Sequence, residues 1–357
     1  MQAFVPQARV ALRATALAAG LALAAPALAD ADPYAITRLV SDQPGIAAIQ
    51  DTDLVNPWGI AFNPNGTAWV ANNRSGKATL YDGNGVKQGL IVTIPSNGAG
   101  PGTPTGVVFN GTTDFKFATT PGATPVAASF LFVSMDGLVS AWAPGLTTAV
   151  PVATGPGAVY TGVAITGNGV VNRLYAADFF GGKIDVYSNA FAPTTVPGGF
   201  ADPTIPPGFG PFNVTAIQGN LYVAYAKIGD GGVESGAGKG FVRVFDADGF
   251  PVDRGLSRGH LDAPWGMALA PAGFGRFSNR LLVGNFGDGV INAYDAASGN
   301  FVGRVRTSPG KPQGTDGLWA IAFGNGVRAQ HTDALFFAAG VDGETHGLYG
   351  RIDVDEE

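Results

Sequence analysis

Chemistry in this chain has few places to start. Of its 357 residues three are histidine and none is cysteine. Thiolate catalysis, thiolate metal sites and disulfides are therefore excluded. His260 stands shortly before Pro264-Trp265, and His346 closes the run Asp342-Gly343-Glu344-Thr345-His346. Imidazole is the natural general base near neutral pH, so these two are the candidate catalytic groups. Asn72, Asp178 and Asn285 each end a short apolar run: Ala68–Asn72, Leu174–Asp178 and Leu281–Asn285. A ring of such oxygens can hold a hard cation such as Ca²⁺; the same groups can also cap hairpins or bind water. Trp58, Trp265 and Trp319 occupy one repeated motif position, where indoles either stack on ligand rings or pack between elements. Asp136, Asp288 and Asp342 each precede a glycine and read as turn formers. Gly236-Ala237-Gly238-Lys239 has the wrong spacing for a phosphate loop, and Gly240 stands where a Mg²⁺-binding hydroxyl belongs. No nucleotide site is expected there.

The elements that must position these groups come from an internal repeat. Pro57-Trp58-Gly59-Ile60-Ala61-Phe62 recurs as Pro264–Leu269 and Leu318–Phe323, and more weakly as Pro104–Phe109, Tyr160–Ile165 and Pro211–Ala216. The shared position falls at 58, 105, 161, 212, 265 and 319, a mean spacing of about 52 residues, the length of a propeller blade. Each copy continues with a second apolar run, a turn that is often Asp-Gly, and a third run ending in an aromatic such as Tyr81, Trp142, Tyr187 or Tyr294. Asp-Gly favours a hairpin because both central residues accept positive φ. A weaker fourth run follows, as in Leu90–Ile94. Gly59, Gly106, Gly162 and Gly266 suit a crowded inner strand. The sixth copy lacks a fourth strand at its C-terminal end, whereas Tyr34–Val40 is a strand without a copy of its own. The expected fold is therefore all-β, a six-bladed β-propeller closed by the N-terminal strand, which completes the last blade. Six repeats of one four-part pattern argue against a β-sandwich. With 54 Gly, 25 Pro and only 13% charged residues, the composition excludes coiled coils, and 46% hydrophobic residues exclude wholesale disorder.

Residues 1–29 read as an export signal. Arg9 and Arg13 precede an apolar run from Ala14 to Ala25, and Ala27-Leu28-Ala29 fits the cleavage site. A single domain of residues 30–357 then acts in the periplasm or outside the cell, with no membrane anchor. The net charge of −6 becomes −8 once the two leader arginines leave, which opposes nucleic-acid binding. A monomer is expected.

The run from Leu54 to Phe62, with Trp69-Val70-Ala71-Asn72-Asn73, Tyr225-Ala226-Lys227, Gly240-Phe241-Val242 and Pro264-Trp265-Gly266, resembles an uncharacterised family of exported propeller-like proteins of bacteria and fungi. That family is similar to the NHL-repeat and gluconolactonase-like propellers. The resemblance implies a propeller over nearly the whole mature chain. Gluconolactonase-like propellers hold a metal among central oxygens, but here no Glu lies on an inner strand to match their carboxylate.

Propellers bind ligands at one mouth of the central channel. The expected mouth is the rim where inner strands begin and second strands end. It gathers Asn56, Trp58, Asn213, Tyr225, Trp265 and Trp319 as ligand-binding residues. The second-strand ends read Asn72, Met135, Asp178, Tyr225, Asn285 and Gly340. The glycine-rich stretch 229–240 projects from the same rim as a flap. A small molecule, glycan or peptide is the expected ligand. The alternative is a metal-dependent hydrolase of a lactone or ester, or a lyase. There Asn72, Asp178 and Asn285 would hold the cation, and His260 or His346 would relay protons.

Overall fold

The computed structural model describes residues 34–355, apart from 253–254, 257–258, 309–310 and 313. The expected export signal lies outside the described residues. Six small antiparallel sheets follow one another along the chain. Their innermost strands are Pro57–Phe62, Pro104–Phe109, Tyr160–Gly167, Phe209–Ile217, Pro264–Leu269 and Leu318–Phe323. Each packs against the next, and the sixth returns to the first. The ring is therefore closed, and the expected six-bladed propeller is the observed fold. All inner strands begin on one face, here called upper, and end on the lower one.

Side chains alternate across each strand, so every blade serves two seams. Trp69 and Ala71 of blade one pack with Phe130 and Phe132 of blade two, whereas Ala68 and Val70 pack with Phe336 and Tyr349 of blade six. Equivalent apolar clusters fill the other seams. Another lies on the axis. Burial on both faces explains why the second strands read as continuous apolar runs rather than alternating ones.

The ring is closed by Tyr34–Ser41, which pairs antiparallel with Leu348–Val354; Ile36 faces Ile352 and Val40 faces Tyr349. Sheet six thus contains both chain ends of the described residues. The segment that carries the chain on to blade one is anchored by charge. Lys87 Nζ meets Asp51 at 2.7 Å and Asp53 at 2.6 Å, and Lys77 also reaches Asp53. The Tyr81 hydroxyl donates to Asp51 at 2.6 Å.

Inner-strand glycines answer to the neighbouring blade. A Cβ on Gly59 would come within 2.8 Å of Thr105 O, and one on Gly266 within 2.5 Å of Trp319 O. Adjacent inner strands therefore approach backbone to backbone, and only a residue without a side chain fits. Register also corrects two rim positions. Pro104 pairs with Ser134, and Leu318 with Ala339. The second strands of blades two and six thus end one residue before the expected Met135 and Gly340. Met135 already belongs to the turn, its N–H donating to Thr103 O at 3.1 Å.

Candidate functional site

Each inner-strand ladder is irregular at the repeated motif position. The register shifts between Pro57 and Ile60 and between Tyr160 and Gly162, and likewise in the other four blades. A bulge re-aims the side chain it carries. Here it presents Trp58, Phe212, Trp265 and Trp319 to the axial cluster. Trp58 and Trp319 stack with ring centroids 3.4 Å apart, and Trp265 meets them edge-on at 6.2 and 5.8 Å. Phe286 stacks on Trp319 at 4.2 Å, and Phe212 sits 5.5 Å from it. Blades two and three offer Thr105 and Thr161 instead. Two small residues leave the space that four large aromatics fill. The Trp265 indole crosses to Thr161 O at 3.0 Å.

These indoles form a plug rather than an open mouth: Trp58 and Trp265 are 4% exposed and Trp319 1%. The glycine-rich flap covers the plug. Ile228 and Val233 pack on the aromatic cluster, while Gly236 N–H donates to Asp262 Oδ1 at 2.7 Å and Gly238 N–H to Leu261 O at 3.0 Å. Asp262 itself was not legible from sequence. It is buried, and desolvation raises its pKa, helped by nearby Asp288 and opposed by the Gly236 N–H. Its sole sequence signal is its place two residues before the motif proline.

Below the plug lies a cavity of about 410 Å³, lined by the inner strands of all six blades. Ile60, Val163, Met267 and Ile321 line it together with the polar Asn213 and Thr215. It opens on the lower face. Pro57 and Trp58 are buried, but Phe62, Phe109, Ile165, Ile217, Leu269 and Phe323, at the other ends of these strands, are half-exposed. Each inner strand has a neighbour on one side only, so its other edge offers backbone N–H and C=O groups to the channel.

Five of the six expected ligand-binding residues come together around the plug. Trp319 Nε1 donates to Asn56 Oδ1 at 3.2 Å, and Asn213 Nδ2 donates to Trp265 O at 2.8 Å. The buried Trp58 Nε1 has no partner in the described structure. Tyr225 lies elsewhere, in the seam between blades three and four. A group that sequence did not single out completes the upper rim. Asn56 Nδ2 donates to Glu344 Oε1 at 3.5 Å. Desolvation raises the Glu344 pKa, against the opposing pull of Asn56 and Arg74.

Each of the three candidate metal ligands has hydrogen-bond partners within its own blade. Asn72 Nδ2 donates to Thr79 within blade one at 2.9 Å. Asp178 Oδ1 accepts the N–H groups of Val159 and Gly181 at 3.0 and 3.1 Å. Asn285 Nδ2 donates to His260 O and Asp288 Oδ1. By strand alternation each shares a face with Val70, Ala176 or Val283, which point into three different seams. The buried Oδ1 atoms of Asn72 and Asn285 have no hydrogen-bond partner in the described structure. No group of three or more His, Asp or Glu side chains that could hold a metal occurs among the described residues. The two histidines are also separate. His260 stacks on Phe301 at 3.8 Å with Nδ1 3.3 Å from Arg304, and His346 Nδ1 meets Asp42 at 2.8 Å.

Fold and site together define a six-bladed β-propeller with an axial cavity plugged at one end. The chain is 37% identical over 339 residues to "Uncharacterized protein R648" of Acanthamoeba polyphaga mimivirus, covering 90% of this chain and 81% of that protein. It is 34% identical to "Uncharacterized protein L690" of the same virus, covering 90% and 86%. The chain belongs to the family of these proteins. No family model matches it. Among solved structures, hydrazine synthase of Kuenenia stuttgartiensis is similar with a TM-score of 0.49 at 15% identity, over 83% of this chain and 80% of that one, a likeness too distant to carry an inference.

Proposed function

We propose that this is an exported binding propeller, of the kind its Pro-Trp-Gly motifs resemble, and that it takes a compact small molecule into the axial cavity through the lower face. The observation that supports this is the cavity itself. Its volume of about 410 Å³ lies within the range of about 300–1,000 Å³ typical of ligand pockets. Apolar side chains share its wall with Asn213 and Thr215, and six strand edges supply hydrogen-bonding groups that need partners. Such a wall suits a compact ligand that carries both apolar surface and polar atoms. The plug and flap close the upper end, so Trp265, which lines the cavity, forms the floor on which the ligand rests.

A panel of small molecules, lactones and glycans, titrated with and without chelator and followed by tryptophan fluorescence, tests this. Trp265 lines the cavity, so a bound ligand should alter its emission. Thr215, half-buried on the wall, is the place to obstruct it: Thr215→Trp should abolish the response and leave the melting temperature unchanged. Equal binding by both proteins would move the site out of the channel. Turnover of a lactone that chelator stops would replace binding by metal-assisted hydrolysis.

A further inference from the structure

A second cavity, of about 290 Å³, lies on the lower face between blades one and two. Its floor is aromatic. Trp69 stacks on Phe130 at 4.1 Å and lies 4.6 Å from Trp142, and all three rings line the space. Trp142 Nε1 is engaged with Leu146 O at 2.8 Å. Trp69 is 3% exposed, and no described hydrogen bond engages its indole N–H. This N–H is not among the fully buried unpartnered atoms, so it keeps access to the cavity and can take an acceptor there.

Arg328 stands at the edge of this space. It is exposed and has no ion pair among the described residues. Its backbone carries unusual strain: Arg328 (φ 52°) and Ala329 (φ 59°) are consecutive non-glycine residues in the left-handed region. Several contacts hold them there. Gly83 N–H donates to Arg328 O at 2.9 Å, and a Cβ on Gly83 would overlap Ala329 O at 1.7 Å. Fully buried Gln330 accepts from Ala68 N at 2.7 Å and donates to Gly66 O, Asn325 Oδ1 and Val327 O. A loop of blade six is thus fastened across blade one so that a cation of blade six borders a pocket of blades one and two. The ligation chemistry is donor-rich: a guanidinium that matches a carboxylate in a two-point pair and an indole N–H above ring faces.

We infer that this cavity is a binding site, separate from the axial channel, for a six-membered ring bearing a carboxylate, with Arg328 pairing the carboxylate and Trp69 donating to a second oxygen. The cavity sits at the lower bound of ligand pockets, so it holds one ring and not an extended chain.

The experiment follows the indole N–H resonances of the whole protein during titration with sodium glucuronate, with benzoate and with neutral glucose. A sugar acid and an aromatic acid distinguish the two sources of the same chemistry. Trp69→Phe keeps a ring and assigns the Trp69 signal. At least one acid should shift that signal at millimolar concentration, and glucose should not. Arg328→Gln should weaken acid binding by about tenfold, the loss expected for one charged hydrogen bond, with an unchanged melting temperature. Thr215→Trp should leave this binding intact. The inference is overturned if neither acid moves the signal, if glucose moves it equally, or if Arg328→Gln binds the acids as tightly.

Discussion

Trp319 packs against four other aromatic rings and holds Asn56 through its indole N–H. Truncating it would open a void where no neighbour can collapse, because the bulged backbone on every side is fixed. Trp319→Ala is expected to destabilise the protein by about 3–5 kcal/mol, measured by urea unfolding; a loss below 1 kcal/mol would show that the plug does not anchor the axis. Glu344 makes the opposite prediction. Desolvation raises its pKa above the ordinary value, so the folded state binds its proton more tightly than the unfolded chain does. Its contribution is then unfavourable above the folded pKa and is relieved as pH falls toward the ordinary carboxylate value. Glu344→Gln should raise the melting temperature at neutral pH and flatten this part of the pH profile. A variant that melts lower at pH 7 would show that the charge is needed at the rim.

Among the elements, the inner strands set the tightest tolerances. Gly266 has room for no side chain because Trp319 O and Ile321 N of the next blade would lie 2.5 and 2.8 Å from its Cβ. Gly266→Ala must push blades five and six apart, and overpacking of this kind costs about 1–3 kcal/mol. Thermal melts read it directly, and an unchanged melting temperature would mean that the blades slide freely. The flap answers to one side chain. Asp262→Ala removes the acceptor of Gly236 N–H, so amide exchange at Gly236 should accelerate while the inner-strand amides stay protected. Unaltered exchange at Gly236 would assign the flap's order to Ile228 and Val233 alone.

For the molecule as a whole, closure is the decisive contact. Tyr34–Ser41 gives blade six its fourth strand and buries Tyr34, Leu39 and Val40. Deleting residues 34–41 should leave Leu348–Val354 with a bare edge and abolish a single cooperative transition. Unfolding that remains two-state and equally stable would show that the ring holds without its clasp. Export makes a separate prediction: the secreted form should begin at Asp30, read by N-terminal sequencing. A secreted form that keeps residues 1–29 would sink the cleavage site.

The blade count, the closing strand and the identity of the crowded glycines were legible in the residues. Strand period, turn chemistry and a repeat of fixed length are local properties, and local properties survive in a linear string. Trp58, Trp265 and Trp319 were correctly placed at one repeated position, but whether they line a mouth or stop it depends on what blades two and three contribute, Thr105 and Thr161. The same holds for Asn72, Asp178 and Asn285, equivalent in sequence yet facing different seams because each belongs to a different blade. Arg328 was invisible as a site residue, because its partners come from blades one and two and reach it only after the ring has closed. Spacing along the chain determined the disc; which end of its channel is open, and which charges meet at the seams, were decided by packing between residues hundreds of positions apart.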